Sequence, residues 1–200
     1  MLKIIGGEYR SRILQSPNDD SISRPYTGRV KESLFNLLRG WFENSTVLDL
    51  FAGVGTMGLE CISRGAARVY LVERNRQIFD LLQGNIDALQ CGDRAVAILG
   101  DALGPVALAR ASGPVDLVFV DPPFELMQNE ATRQRVLEQI ARCRPLMGDK
   151  GFVVLRSPLS AQQADPSIAG FAGPEQHQYG REMNVLLYAP TMQDTDRGQS

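Results

Sequence analysis

The sequence predicts an α/β fold, a doubly wound and mostly parallel sheet with helices on both faces. Three observations predict it. Short apolar runs recur at residues 47–51, 69–72, 95–99, 115–120 and 152–155, continuous rather than alternating, as strands covered on both faces are. Between them lie stretches of helical spacing: Ile78, Leu81, Leu82 and Leu89 mark one face, and Val136, Leu137 and Ile140 another. Glycine and acidic motifs fall where the runs end, the edge at which such sheets bind ligands.

The elements follow in order. Two apolar runs, near residues 2–5 and 13–14, flank Gly6-Gly7 and predict a small β-hairpin projecting from the body. Residues 18–23 form a polar loop. From Thr27 the spacing of Val30, Leu34, Leu37, Leu38 and Trp41 predicts a helix. Gly65 and Gly92 sit where the next helices should stop. The crossover near 103–111 is short. Residues 175–180 and 184–188 predict an antiparallel hairpin closing the sheet edge. The chain therefore divides into a hairpin extension and loop (1–25), a main domain (26–190) and a flexible polar tail (191–200).

Composition narrows the function classes. Apolar residues are 44% and charged residues 22% of the 200, values of a globular chain with one sizeable core. No apolar run approaches the length of a membrane span, and the opening MLKIIGGEYR does not read as a signal peptide. Cys61, Cys91 and Cys143 form no CxxC, which predicts reduced thiols and a cytoplasmic protein. With His177 alone, no metal site is expected. Net charge is −2, but residues 1–40 carry +3 against −5 for the rest. That is a weak electrostatic footprint for a polyanion, and equally a solvated face.

Gly53, Gly55 and Gly58 satisfy G-x-G-x-x-G after the first long strand, and Glu73 ends the next strand 20 residues after Gly53. Such a loop lets backbone approach a ligand, and such an acid accepts ribose hydroxyls. Both demands suit a dinucleotide or S-adenosylmethionine. Asp49 favours the second: a carboxylate there can face an ammonium group but opposes a pyrophosphate. Asp101-Ala102, after the third strand, can bond an adenine amino group or cap a helix.

Asp121-Pro122-Pro123-Phe124 ends the fourth strand. Two prolines fix the backbone and remove two donors. The Asp121 carboxylate and a proline carbonyl then offer two acceptors beside an aromatic ring, which suits a planar base bearing an exocyclic amine. Orienting both amine hydrogens points the nitrogen lone pair at an electrophile, and a sulfonium methyl is one.

These motifs carry a resemblance. Asp-Pro-Pro-Phe resembles the (D/N)PP(Y/F) motif of S-adenosylmethionine-dependent amino-methyltransferases. Over most of residues 2–190 the chain resembles the RsmD family, which methylates the exocyclic amine of one guanine in 16S ribosomal RNA. LKIIGGEYRSRIL, SRPYTGRVKESLFN, DLFAGVGTMGLECISRGA, VERN, GDA, FVDPPF and QYGREMNVLLY carry the likeness in order. It implies a class I methyltransferase domain with a seven-stranded sheet, and S-adenosylmethionine as cofactor. Asp49, Phe51, Ala52, Gly53 and Gly55 would line its methionine part, Glu73 its ribose, and Asp101 with Ala102 its adenine. Asp121, Pro122, Pro123 and Phe124 would receive the base. Arg24, Arg29, Lys31 and Asn36 would lie near the site mouth, toward RNA or cofactor, and the basic excess of residues 1–40 makes Arg10, Arg12, Arg24, Arg29 and Lys31 candidate phosphate contacts. The partner implied is 16S ribosomal RNA or a small-subunit particle; the sequence does not fix the oligomeric state, with a monomer favoured. The chain departs from the family signature at Tyr26, Gly28 and Lys31, near the substrate entrance.

Other readings remain open at this point. A DNA adenine or cytosine amino-methyltransferase, or one acting on another RNA or on protein glutamine, shares the chemistry. A nicotinamide-dependent oxidoreductase shares the glycine loop but gives Asp-Pro-Pro-Phe no purpose. A silent RNA-binding module has no use for an intact cofactor loop.

Overall fold

The computed structural model describes residues 2–17, 28–164, 166–180 and 183–192. The polar loop at 18–23, Arg24, Tyr26, Thr27 and tail residues 193–200 lie outside them. Strands β1 (Leu2–Lys3) and β2 (Ile13–Leu14) pair antiparallel as a separate two-stranded sheet. The large sheet holds β3 (Thr46–Asp49), β4 (Arg68–Glu73), β5 (Ala95–Leu99), β6 (Val115–Val120), β7 (Met147–Ser157), β8 (Phe171–Tyr179) and β9 (Met183–Pro190). Its order is β5-β4-β3-β6-β7-β9-β8, parallel from β5 to β7 and closed by antiparallel β9 and β8. The doubly wound sheet and closing hairpin are those the sequence predicts.

Two apolar layers sandwich the sheet. On one face pack the hairpin, α1 (Gly28–Leu37), α2 (Gly58–Ser63) and α3 (Arg76–Leu89), around Phe35, Leu59, Leu82 and Ile86. On the other pack α4 (Pro105–Ala109), α5 (Phe124–Gln128), α6 (Glu130–Cys143) and α7 (Ala161–Ala164), around Met127, Val136 and Ile140. Cys61, Cys91 and Cys143 are free and buried in these layers. Strand order reverses between β3 and β6, so the crevice for a ligand opens at their carboxyl ends.

Three local expectations change. The hairpin does not stand free. Ile5 and Gly6 donate their N–H groups to Glu60 at 2.8 and 2.9 Å, Tyr9 donates to Ser63 Oγ at 2.9 Å, and Ile4 and Leu14 enter the core. Helix α1 ends before Trp41 and presents a face turned by one position. Lys31, Leu34, Phe35 and Leu38 are buried, while Leu37 is exposed and Trp41 packs edge-on against Phe152. Gly92 does not end α3; Gln90 takes the left-handed turn instead, at φ 55°.

Candidate active site

The crevice is built by the turn after β3. Ala52 N–H reaches Val72 O and Gly55 N–H reaches Ala52 O, folding the chain back over the strand ends. Gly53 adopts φ +55°, and a Cβ there would meet open space. Gly55, at φ +93°, is needed for a different reason: a Cβ there would strike Leu82 and Leu59. One glycine keeps the loop open toward solvent and the other lets α2 and α3 close beneath it. Phe51 is half-buried and Ala52 buried in the same turn.

Glu73 ends β4 and fixes this turn. Its Oε2 accepts from Gly53 N–H at 3.1 Å, and its Oε1 accepts from Asn75 N–H at 2.6 Å. Asn75 in turn caps α3 by accepting from Gln77 and Ile78 N–H. Each Glu73 oxygen retains capacity for a second donor, which is what a ribose diol requires. Asp101 lies exposed after β5; its Oδ1 accepts from Leu103 N–H at 3.0 Å, an Asx turn rather than a helix cap, since Gly104 caps α4. Ala102 is buried beneath it.

Asp49 is 1% exposed at the end of β3, and its Oδ2 accepts from Gly58 N–H at 3.1 Å. Burial pushes its carboxyl up to about 7, repulsion from Asp121 and Glu73 adds to that, and the Gly58 and Phe51 amides pull it back. Three carboxylates thus converge at neighbouring strand ends. A cation bound among them relieves the repulsion, whereas a pyrophosphate increases it.

Asp121 leaves β6 beside this cluster, because Asp49 pairs with Phe119 across β3 and β6. Burial pushes its carboxyl up to about 6, with Arg156 opposing the shift. Oδ1 forms an ion pair with Arg156 Nε, and the Arg156 guanidinium lies 5.1 Å from the Phe124 ring centroid. Pro122 is buried. Pro123 caps α5, and its carbonyl accepts from Leu126 N–H at 3.0 Å. That leaves the Pro122 carbonyl as the proline acceptor next to Asp121.

The basic set divides. Arg10, Arg12, Arg29 and Asn36 are exposed, and Arg12 Nη2 donates to Ala88 O at 2.8 Å. Arg24 lies outside the described residues. Lys31 is not at the surface: it is 5% exposed and paired at 2.9 Å with Glu60, which is 0% exposed. It is a core cation and is withdrawn from the surface set. Two site residues have no motif in the sequence. Arg156 is one. Asn85 is the other: its Oδ1 accepts from Gln15 N–H at 2.7 Å, and its Nδ2 donates to Gln15 O and Val54 O. It ties the segment after the hairpin to the glycine loop.

The model of a protein family described as conserved hypothetical protein 95 matches residues 2–188. The chain belongs to that family. It is 41% identical over 123 residues to Ribosomal RNA small subunit methyltransferase D of Escherichia coli K12, covering 62% of this chain and 60% of that protein. The same-named Haemophilus influenzae protein is 36% identical over 124 residues, covering 62% and 64%. The matched segment spans less than two thirds of these curated relatives. A solved Escherichia coli structure described as a candidate methyltransferase, yhhF, superposes with a TM-score of 0.78 at 30% identity, over 96% of this chain and 99% of that one. The architecture is the class I methyltransferase fold, and the resemblance to the RsmD family is borne out.

Among the described residues no helix is long and apolar enough to cross a membrane, and no cluster of His, Cys, Asp or Glu could hold a metal ion. The state of Asp49 makes one prediction. An acid whose folded pKa lies above its unfolded value of 3.8 loses folding stability as pH rises from about 4 to about 7. A cationic ligand binds the ionised form, so a cation bound at Asp49 would release a proton below pH 7. Calorimetric affinity for S-adenosylmethionine is expected to rise from pH 5.5 to 7.5, and to lose most of that slope in Asp49→Asn. Equal slopes in both proteins would contradict the assignment.

Proposed function

We propose that the chain transfers a methyl group from S-adenosylmethionine to the exocyclic amino group of a guanine in 16S ribosomal RNA. The observation that carries this reading is the adjacency of β3 and β6. It brings a glycine loop with acidic partners beside an Asp-Pro-Pro-Phe turn. The names of the relatives support an rRNA substrate.

When bound, S-adenosylmethionine supplies an electrophilic methyl on a cationic sulfur. The residues fit it: Gly53 leaves room, Asp49 offers a carboxylate to the ammonium group, and Glu73 can hold the ribose. Phe51, Ala52 and Gly55 line the methionine part, and Asp101 with Ala102 the adenine. Asp121 and the Pro122 carbonyl accept the two amine hydrogens, and Phe124 stacks on the base. This alignment supplies the main catalytic effect: the nitrogen lone pair would take the methyl as the carbon–sulfur bond breaks with its electrons left on sulfur, the Asp121 charge stabilises the nitrogen as it becomes positive, and the surplus proton passes to water. The base must leave its stack to enter the crevice. The protein acts in the cytoplasm on 16S RNA or a small-subunit particle, with residues 1–25 as hairpin extension and loop and 26–190 as catalytic domain.

Calorimetry with S-adenosylmethionine against NAD tests the cofactor. Micromolar binding of the first and none of the second is expected, and the reverse would restore the oxidoreductase reading. Glu73→Ala is expected to weaken cofactor binding by about 1.5–3 kcal/mol, the scale of a hydrogen bond to a charged group. Unchanged affinity would remove Glu73 from the site.

Arg10, Arg12, Arg24, Arg29 and Asn36 form the proposed RNA-facing set. Reversing the charge of Arg10 and Arg12 is expected to flatten the salt dependence of RNA binding by about one log unit per lost phosphate contact. Filter binding across a salt series reads this directly, and an unaltered slope would exclude the hairpin from the interface.

A further inference from the structure

We propose that Arg156 is a positioning residue for the transfer step, clamping Asp121 and Phe124 together so that one carboxylate oxygen and one ring face remain for the base. The inference rests on the reading of Asp121 as the amine acceptor.

Register brings the three residues together. Val120 of β6 pairs with Leu155 of β7 in parallel register, so the next residues along both strands, Asp121 and Arg156, lie side by side at the carboxyl edge. Arg156 is 7% exposed, on a strand covered on one side by β6 and on the other by β9, where it pairs with Val185. A guanidinium so enclosed has little freedom, and its Nε holds Asp121 Oδ1 against it as an ion pair. The ion pair engages Asp121 Oδ1 and leaves Oδ2 for an amine hydrogen. The same guanidinium lies against the Phe124 ring. A cation on one face of the ring fixes its tilt and leaves the opposite face for stacking.

Charge is the second part of the role. Asp49 and Asp121 repel one another, and Glu73 adds to the field at Asp49. Burial already favours the protonated form of Asp121, and Arg156 is the group that opposes it. A protonated Asp121 presents a donor where an acceptor is required. Arg156 therefore keeps the acceptor ionised at neutral pH, beside the carboxyl groups of Asp49 and Glu73. It need not touch substrate to do so.

The test uses the full chain, S-adenosylmethionine and small-subunit particles lacking the methyl mark. Single-turnover rates are measured from pH 5.5 to 9 beside calorimetric cofactor affinity. Asp121→Ala comes first: if it transfers methyl groups at the wild-type rate, the reading of Asp121 fails, and this inference fails with it. If Asp121→Ala is inactive, Arg156→Gln decides. Its cofactor affinity is expected to stay within about twofold. Its rate at pH 7 is expected to fall at least about tenfold, and the acid limb of its profile to move up by about one pH unit, recovering part of the rate at pH 9. An unmoved acid limb overturns the proposal, whether the rate is wild-type or reduced at every pH. Should Arg156→Gln not fold, Arg156→Lys carries the test. It keeps the charge and loses the Nε contact and the planar group over Phe124, so the acid limb should stay in place while KM for the particle rises. An unchanged KM would overturn the clamp.

Discussion

Asp121→Ala is expected to leave S-adenosylmethionine affinity nearly intact and to cut methyl transfer by at least about two orders of magnitude. The two halves separate because different residues carry them. Gly53, Glu73 and Asp49 form the proposed cofactor floor at the ends of β3 and β4, and none depends on Asp121 for a hydrogen bond. Removing Asp121 even lowers the acidic crowding around Asp49. The loss falls on alignment: without the carboxylate, one amine hydrogen has no acceptor and the lone pair no fixed direction. Asp121→Asn is expected to be milder, since its amide oxygen still accepts. Phe124→Ala is expected to weaken base capture by about 1–3 kcal/mol, the scale of base–aromatic stacking. Single-turnover transfer beside calorimetry separates these outcomes; an Asp121→Ala protein at wild-type rate would end the mechanism.

Glu60→Ala is expected to be the most damaging change to stability. Glu60 is 0% exposed, yet it receives Lys31 Nζ, Arg64 Nε and the Ile5 and Gly6 N–H groups, all at 2.8 to 2.9 Å. It joins α1, α2 and the hairpin through one carboxylate. Desolvation already lowers the Lys31 pKa, with Glu60 holding the charge in place. Truncation leaves a buried ammonium without its partner, a loss of about 3–5 kcal/mol. The hairpin loses two of its anchors at once. Chemical denaturation reads the first effect, and faster hydrogen exchange at Ile5 and Gly6 the second. A change under about 1 kcal/mol would show that the hub contributes little.

How far the sequence was legible follows from the range of its signals. The five parallel strands of the large sheet were visible because each contains a continuous apolar run in a chain whose helices have a different period. The candidate residues Gly53, Glu73, Asp101 and Asp121 were visible because each lies at or just after a strand end, a position the topology itself defines. Lys31 was misread for a physical reason: a cation next to arginines looks solvated unless its buried partner is known, and Glu60 lies 29 residues away. The same one-position turn of α1 brought Lys31 and Phe35 inward and left Leu37 out. Arg156 carried no motif because its role comes from strand register, β7 beside β6, and no local pattern encodes that neighbour. Asn85 was hidden likewise, as a polar residue on a helix whose partners are the distant Gln15 and Val54 backbones. Gln90, which ends α3, lies two residues before Gly92, the stop that composition favours.

The central claim is that the crevice methylates a guanine amine in ribosomal RNA. The measurement that tests it most directly is nucleoside mass analysis of small-subunit RNA after incubation of unmethylated particles with this protein and isotope-labelled S-adenosylmethionine. The account predicts one labelled methyl group per RNA, recovered as N2-methylguanosine and absent with Asp121→Ala. Label on adenosine, cytidine or a ring nitrogen, or none on particles or free RNA alike, would contradict it.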